Sequence, residues 1–111
     1  FLAGQYRVSA VVDDLRSLLK STILFESDYA VNEEIIRALG EIGDPRSVAD
    51  MEKIARSAFT LHPAHMARMK QTLFASLGRY PKEKIRTLLQ IGSRSGDEQV
   101  RQECRKLADQ A

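Results

Sequence analysis

The chain has 111 residues, room for one domain and one core. At 43% hydrophobic and 29% charged it has a globular composition, and no stretch approaches the roughly 20 consecutive apolar residues of a membrane span. The lone cysteine, Cys104, excludes an internal disulfide.

No basic, apolar, small-residue leader opens the chain, so the expected setting is reducing and cytoplasmic. The apolar start at Phe1 and Leu2 and a last helix that runs to Ala111 without a stop signal lead us to read one domain cut from a longer protein. Charge is uneven along it: residues 1–57 carry 7 basic and 10 acidic side chains, residues 58–111 carry 10 and 5. The first part is net negative and the second net positive, so a partner or a second copy meets two different ends.

In residues 8–20, Val8, Val11, Val12, Leu15, Leu18 and Leu19 recur at spacings of three and four, which predicts a first amphipathic helix. The β-branched and aromatic run at 22–25 has no pairing partner elsewhere and is assigned to the helix end or a loop. Ser27 or Asp28 then offers a cap for a second helix over 29–42, with Val31, Ile35, Ala38, Leu39 and Ile42 inward and Glu33, Glu34, Arg37 and Glu41 mainly off the stripe.

Gly43 supplies the left-handed residue that closes a helix, Asp44 can cap the next, and Pro45 suits its first turn. So short a turn predicts an antiparallel hairpin. The third helix, 45–58, turns Val48, Met51, Ile54 and Ala55 inward and Arg46, Asp50, Lys53 and Ser57 outward. Pro63 opens a fourth with Met66, Met69, Leu73, Phe74 and Leu77 inward, ended by Gly78. Pro81 opens a fifth with Ile85, Leu88, Leu89 and Gly92 inward. The spacing of Ser95 and Glu98 is that of a capping box for a sixth helix carrying Val100, Cys104, Leu107 and Ala108 on its inner face.

The unit at 32–55, NEEIIRALGEIGDPRSVADMEKIA, has a blurred copy at 69–91, MKQTLFASLGRYPKEKIRTLLQI. Leu39, Phe74 and Leu107 hold equivalent places, which gives a period of about 35 residues, in the range of stacked helical hairpins. The expected fold is therefore all-α, with about six antiparallel helices in stacked hairpins forming an α-solenoid. ALGEIGDPRSV at 38–48 resembles the central motif of HEAT repeats, in particular the short HEAT-like repeats first noted in phycobilisome lyases. DEQVRQECRKLAD at 97–109 resembles the first helix of another such unit. The copy at 69–91 diverges, with RYP where the pattern has DP. The resemblance covers residues 30–111 and implies the fold of an α-α superhelix, which serves binding proteins, scaffolds and a few enzymes alike.

Candidate chemistry is sparse. His62 and His65 stand i, i+3 at a helix start, yet no Cys, Asp or Glu lies within five positions and a stable metal site needs three or four ligands. HEAT-repeat hydroxylases that bind iron use paired His-Glu motifs, and neither histidine here precedes a glutamate. Cys104 shares the buried stripe with Val100 and Leu107 and reads as a small hydrophobe; Met51, Met66 and Met69 read as core filling. No residue set marks a pigment site, no cofactor or metal is expected, and the chain reads as having no catalysis of its own.

Two surfaces remain. By resemblance to HEAT repeats the second helix of each hairpin lines the concave side, here helices one, three and five. Their outward residues, Asp13 and Lys20, then Arg46, Asp50 and Lys53, then Glu83, Arg86 and Gln90, make a ladder of mixed charge suited to a polar protein partner. The reading is a protein-interaction or scaffold module within a larger bacterial, cytoplasmic protein. The alternative is nucleic-acid or other polyanion binding at the hairpin tip, where Arg79, Lys82, Lys84 and Arg86 would grip phosphates, Tyr80 would stack a base and the free N–H groups at the start of helix five would assist.

Overall fold

The computed structural model describes residues 2–19, 26–57 and 60–109. Within them the chain forms six α-helices and no strand: α1 (Leu2–Leu18), α2 (Glu26–Ile42), α3 (Val48–Arg56), α4 (Pro63–Ala75), α5 (Arg86–Ser93) and α6 (Glu98–Asp109), with 3-10 turns at Pro45–Ser47 and Lys82–Lys84 ahead of α3 and α5. No helix among the described residues is long and apolar enough to cross a membrane. The run at 22–25, Lys20 and the expected end of helix three at Ala58 lie outside the described residues.

The helices form two layers. α2 packs on α4 and α4 on α6 in one layer, α3 packs on α5 in the other, and α1–α2, α3–α4 and α5–α6 pack across. The Cα trace measures 43 × 36 × 16 Å. Helices pack with axes about 8–10 Å apart and carry their Cα atoms about 2.3 Å from the axis, so the short dimension is that of two layers. Two ion pairs tie α1 to α3 and to the 3-10 turn ahead of it, Arg16 Nε to Asp50 Oδ2 at 2.6 Å and Arg46 Nη1 to Asp13 Oδ1 at 3.1 Å.

The Gly-Asp-Pro turn is built as its residues dictate. Gly43 has φ +69°, and among the described residues it is alone in a positive φ. Asp44 Oδ1 accepts the Arg46 amide at 2.9 Å, and Pro45 opens the 3-10 turn. The expected side-by-side hairpin of α2 and α3 is not what the turn delivers: these helices approach each other less than α3 approaches α4. The intervening 3-10 turn separates them and carries the chain from one layer to the other.

Several local expectations are corrected. α2 starts at Glu26, so Ser27 and Asp28 lie inside its first turn, where Glu26 and Asp28 suit the positive end of the helix dipole. Gly78 does not close α4, which stops at Ala75 with Ser76 at its C-cap. α6 is capped by Asp97, whose Oδ1 accepts the Gln99 amide at 2.9 Å and the Val100 amide at 3.4 Å, while Ser95 Oγ accepts the Asp97 amide at 3.0 Å. That arrangement replaces the Ser95–Glu98 capping box.

The core contains the expected inward residues of α3 and α4 and, on α6, Val100, Cys104 and Leu107, with Met51, Leu73 and Leu88 fully enclosed, whereas Ala108, expected inward, is exposed at the end of α6. The buried arc of α2 is rotated from its predicted stripe. Tyr29, Asn32, Glu33, Ile36 and Gly40 are buried, while Val31 is 55% exposed. α2 packs against both α1 and α4, and two neighbours bury a wider arc than one stripe. Val11 and Leu18 of α1, both expected inward, are likewise exposed.

Candidate interaction surface

The predicted partner-binding residues lie on the layer of α1, α3 and α5, and the part on α3 is internally braced. Arg46 Nη2 is 2.9 Å from Asp44 Oδ2 and its Nη1 reaches Asp13 across on α1. Asp50 accepts Arg16 Nε. The Arg46 guanidinium holds the Asp44 carboxyl below the usual carboxylate range, and Asp44 in turn raises Arg46. Arg46 nevertheless keeps 40% of its side-chain surface in solvent. Lys53, Glu83, Arg86 and Gln90 are exposed, so mixed charge runs from α1 over α3 to the start of α5.

The predicted polyanion tip does not come together as a unit. Tyr80 is 3% exposed, and its hydroxyl lies 2.6 Å from Ser47 Oγ, so its ring cannot stack on a base. Burial pushes its phenol above the ordinary range. Arg79 donates to the Glu41 carbonyl at the end of α2. Lys82 Nζ is enclosed with no hydrogen-bond partner, while Lys84 and Arg86 are exposed. The expected free N–H groups are partly consumed, since the Lys84 and Ile85 amides bond to the Pro81 and Lys82 carbonyls. The cause is the 3-10 turn, which tightens this helix start.

A third surface escaped the sequence reading. On the α2–α4–α6 layer, a groove of about 420 Å³ is lined by Arg37, Arg68, Gln71, Thr72, Ser76 and Gln99. It shares Arg37, Ala75 and Ser76 with a second cavity of about 350 Å³ that reaches Glu41 and Arg79. Beneath lies Glu33, predicted off the stripe but 6% exposed. Its Oε1 accepts the Thr72 hydroxyl at 3.1 Å and stands 3.2 Å from Arg68 Nε. The signal was present in Gly40, an interior helix glycine: a Cβ there would sit 2.5 Å from the Ser76 carbonyl oxygen, which is how closely α2 and α4 approach.

One of the two histidines meets an acid that sequence distance hid. His65 Nε2 is 2.7 Å from Glu26 Oε1, and its ring stacks on Tyr29 at 5.8 Å, with His62 edge-on to both. No group of three or more His, Cys, Asp or Glu side chains among the described residues could hold a metal ion. Cys104 is 3% exposed, and burial pushes its thiol up to about 11. A thiol so protonated is a poor nucleophile at neutral pH.

No family model matches this chain, and neither does any curated protein or solved structure.

Proposed function

We propose that this domain is a protein-interaction module built from HEAT-like helical repeats, and that the α1–α3–α5 layer presents its charged ladder to a polar protein partner. The carrying observation is the brace between Arg46, Asp13, Asp44, Arg16 and Asp50. Side chains fixed before a partner arrives avoid an ordering penalty of about 0.5–1.5 kcal/mol each on binding. Charges of both signs in fixed order favour register and partner choice over raw affinity. The glycine turn at Gly43 and the two helix layers support the repeat reading, and in it the module binds rather than catalyses, needs no cofactor, and works in a bacterial cytoplasm.

The test is affinity capture from a lysate of the source organism with nuclease present, comparing the native chain with Lys53→Glu/Arg86→Glu. Both side chains are exposed, so the variant keeps the brace and the fold. Loss of a specific protein from the captured set is expected. Unchanged capture by the folded variant would count against the ladder. The exposure of Arg79 and Lys84 favours a second reading, polyanion binding. It requires retention of nucleic acid that falls steeply with salt and is lost in Arg79→Glu/Lys84→Glu.

A further inference from the structure

Three of the four large apolar side chains left exposed among the described residues gather at one end of the slab: Val11 at 47%, Leu18 at 60% and Val31 at 55%. Helical register shows why. On α1, Asp13 and Arg16 face α3 and its preceding 3-10 turn, where they pair with Arg46 of the turn and Asp50 of the helix. At about 100° per residue, Val11, Asp14 and Leu18 fall on the opposite flank. On α2, Asn32, Glu33 and Gly40 face α4, where they meet Met69, Thr72 and Ser76. Val31 and Glu34 again fall opposite. An apolar surface with acidic side chains on it thus covers the end beyond α1 and α2.

The other end has the complementary surface. Between α5 and α6 lies a groove of about 320 Å³ floored by Leu89, Cys104 and Ala108 and rimmed by Arg101 and Arg105, with no carboxylate in its lining. On α6, Gln99 lines the polar groove shared with α4, and Arg101, Arg105 and Ala108 occupy the far flank, pointing out of the stack. The contrast follows the whole chain, whose first 57 residues are net negative and whose remainder is net positive.

We propose that these ends are the two halves of one head-to-tail interface: the Val11–Asp14–Leu18 stripe of one copy lies in the α5–α6 groove of the next, with Asp14 against Arg105. The apolar side chains supply the attraction and the charge pair sets the direction. Two different surfaces meet, so the contact is heterologous, and each added copy exposes a fresh end. Growth into an open chain follows unless the rotation per copy closes a ring. This assembly does not depend on the partner-binding reading of the ladder, although the groove takes in Gln90 at the α5 end of that ladder.

Sedimentation velocity over a concentration series at low salt tests it, with Asp14→Arg and Arg105→Glu as variants. Both side chains are exposed, and circular dichroism verifies folding. The native chain should form species larger than a dimer that shrink as salt rises, and each variant alone should lose them. Mixing the variants should restore species larger than a dimer, with the two variants alternating, because the intact Asp14 end of Arg105→Glu meets the intact Arg105 end of Asp14→Arg and the two reversed ends complement each other in turn. The chain carrying both changes should grow again. A native chain that stays monomeric overturns the proposal, and so does association that survives either single change. Failure of the mixture to grow, or a monomer that instead takes an added acidic amphipathic peptide into the groove, also overturns it.

Discussion

Tyr80 and Ser47, thirty-three positions apart in the chain, are joined by a hydrogen bond of 2.6 Å between their hydroxyls, and the direction of that bond can be derived. Ser47 Oγ donates its one proton to the Asp44 carbonyl at 2.9 Å, so Tyr80 is the donor and Ser47 the acceptor. The bond ties the start of α3 to the segment leading into α5. Tyr80→Phe keeps the buried ring and leaves Ser47 its own donated bond, so the loss should be about 1 kcal/mol in urea unfolding. Tyr80→Ala also removes the ring and should lose about 3–5 kcal/mol. An exposed base-stacking tyrosine would show almost no stability change in either variant.

Gly40 sets two effects against each other. Glycine inside a helix is less favourable than alanine by about 1 kcal/mol, so propensity alone predicts that Gly40→Ala stabilises. The added Cβ would meet the Ser76 carbonyl oxygen at 2.5 Å and Ser76 Cβ at 2.7 Å. Both belong to the backbone frame at the end of α4 and cannot rotate away. Overpacking of this kind costs about 1–3 kcal/mol, more than the propensity gain, and the net change should be destabilising. Gly78→Ala, with nothing within 4 Å of the new atom, is the control and should be neutral or slightly stabilising. Equal midpoints for the two variants would show that α2 and α4 can separate without loss.

Legibility in the sequence divided along the same line as locality. Gly43, Asp44 and Pro45 act within a few residues of themselves, and their turn, cap and helix start are as expected. The inward residues of α3 form one stripe because the burial that counts lies on one side of a short helix. α2 packs against two neighbours, and a single-stripe reading had no means of turning its arc toward α4, which buried Glu33 and exposed Val31. Tyr80 sits in a locally charged segment, Arg-Tyr-Pro-Lys-Glu-Lys, that reads as a solvated tip, yet it belongs to the core and bonds Ser47. The candidate ladder was legible as outward charge. Its pairing was not, because Arg16 and Asp50 are 34 positions apart.

Cys104 offers a readout of the α5–α6 packing. Burial raises its thiol from 9.0 to about 11. At pH 8 the native thiolate fraction should be roughly a hundredth of that in the unfolded chain, so alkylation of the native protein should be slower by about that factor or more. A raised folded value means that the stabilising contribution is complete below the unfolded value and is lost as pH rises through the folded one. Stability should therefore fall across pH 9.0 to about 11, and Cys104→Ala should remove that part of the fall. Fast native alkylation at pH 8, at the rate seen in urea, would place the thiol outside the core.

Acid should act through two helix starts. The Arg46 side chain lowers the Asp44 pKa, and the Gln71 side-chain amide, helped by the Val100 and Gln99 amides, lowers that of Asp97, each from 3.8. A depressed folded value means the unfolded chain takes up the proton first. The contribution is therefore complete above the unfolded value of 3.8 and disappears as pH falls through the folded value. Urea midpoints should be flat from neutrality to about pH 5 with respect to these groups and then drop. Asparagine keeps a capping oxygen and removes the charge, so Asp44→Asn and Asp97→Asn should each be less stable than the native chain at pH 7. The deficit should shrink below pH 3.8 as the native carboxylates are themselves neutralised. A deficit that stays constant with pH would assign these residues a purely geometric role, with their carboxylate charge contributing nothing.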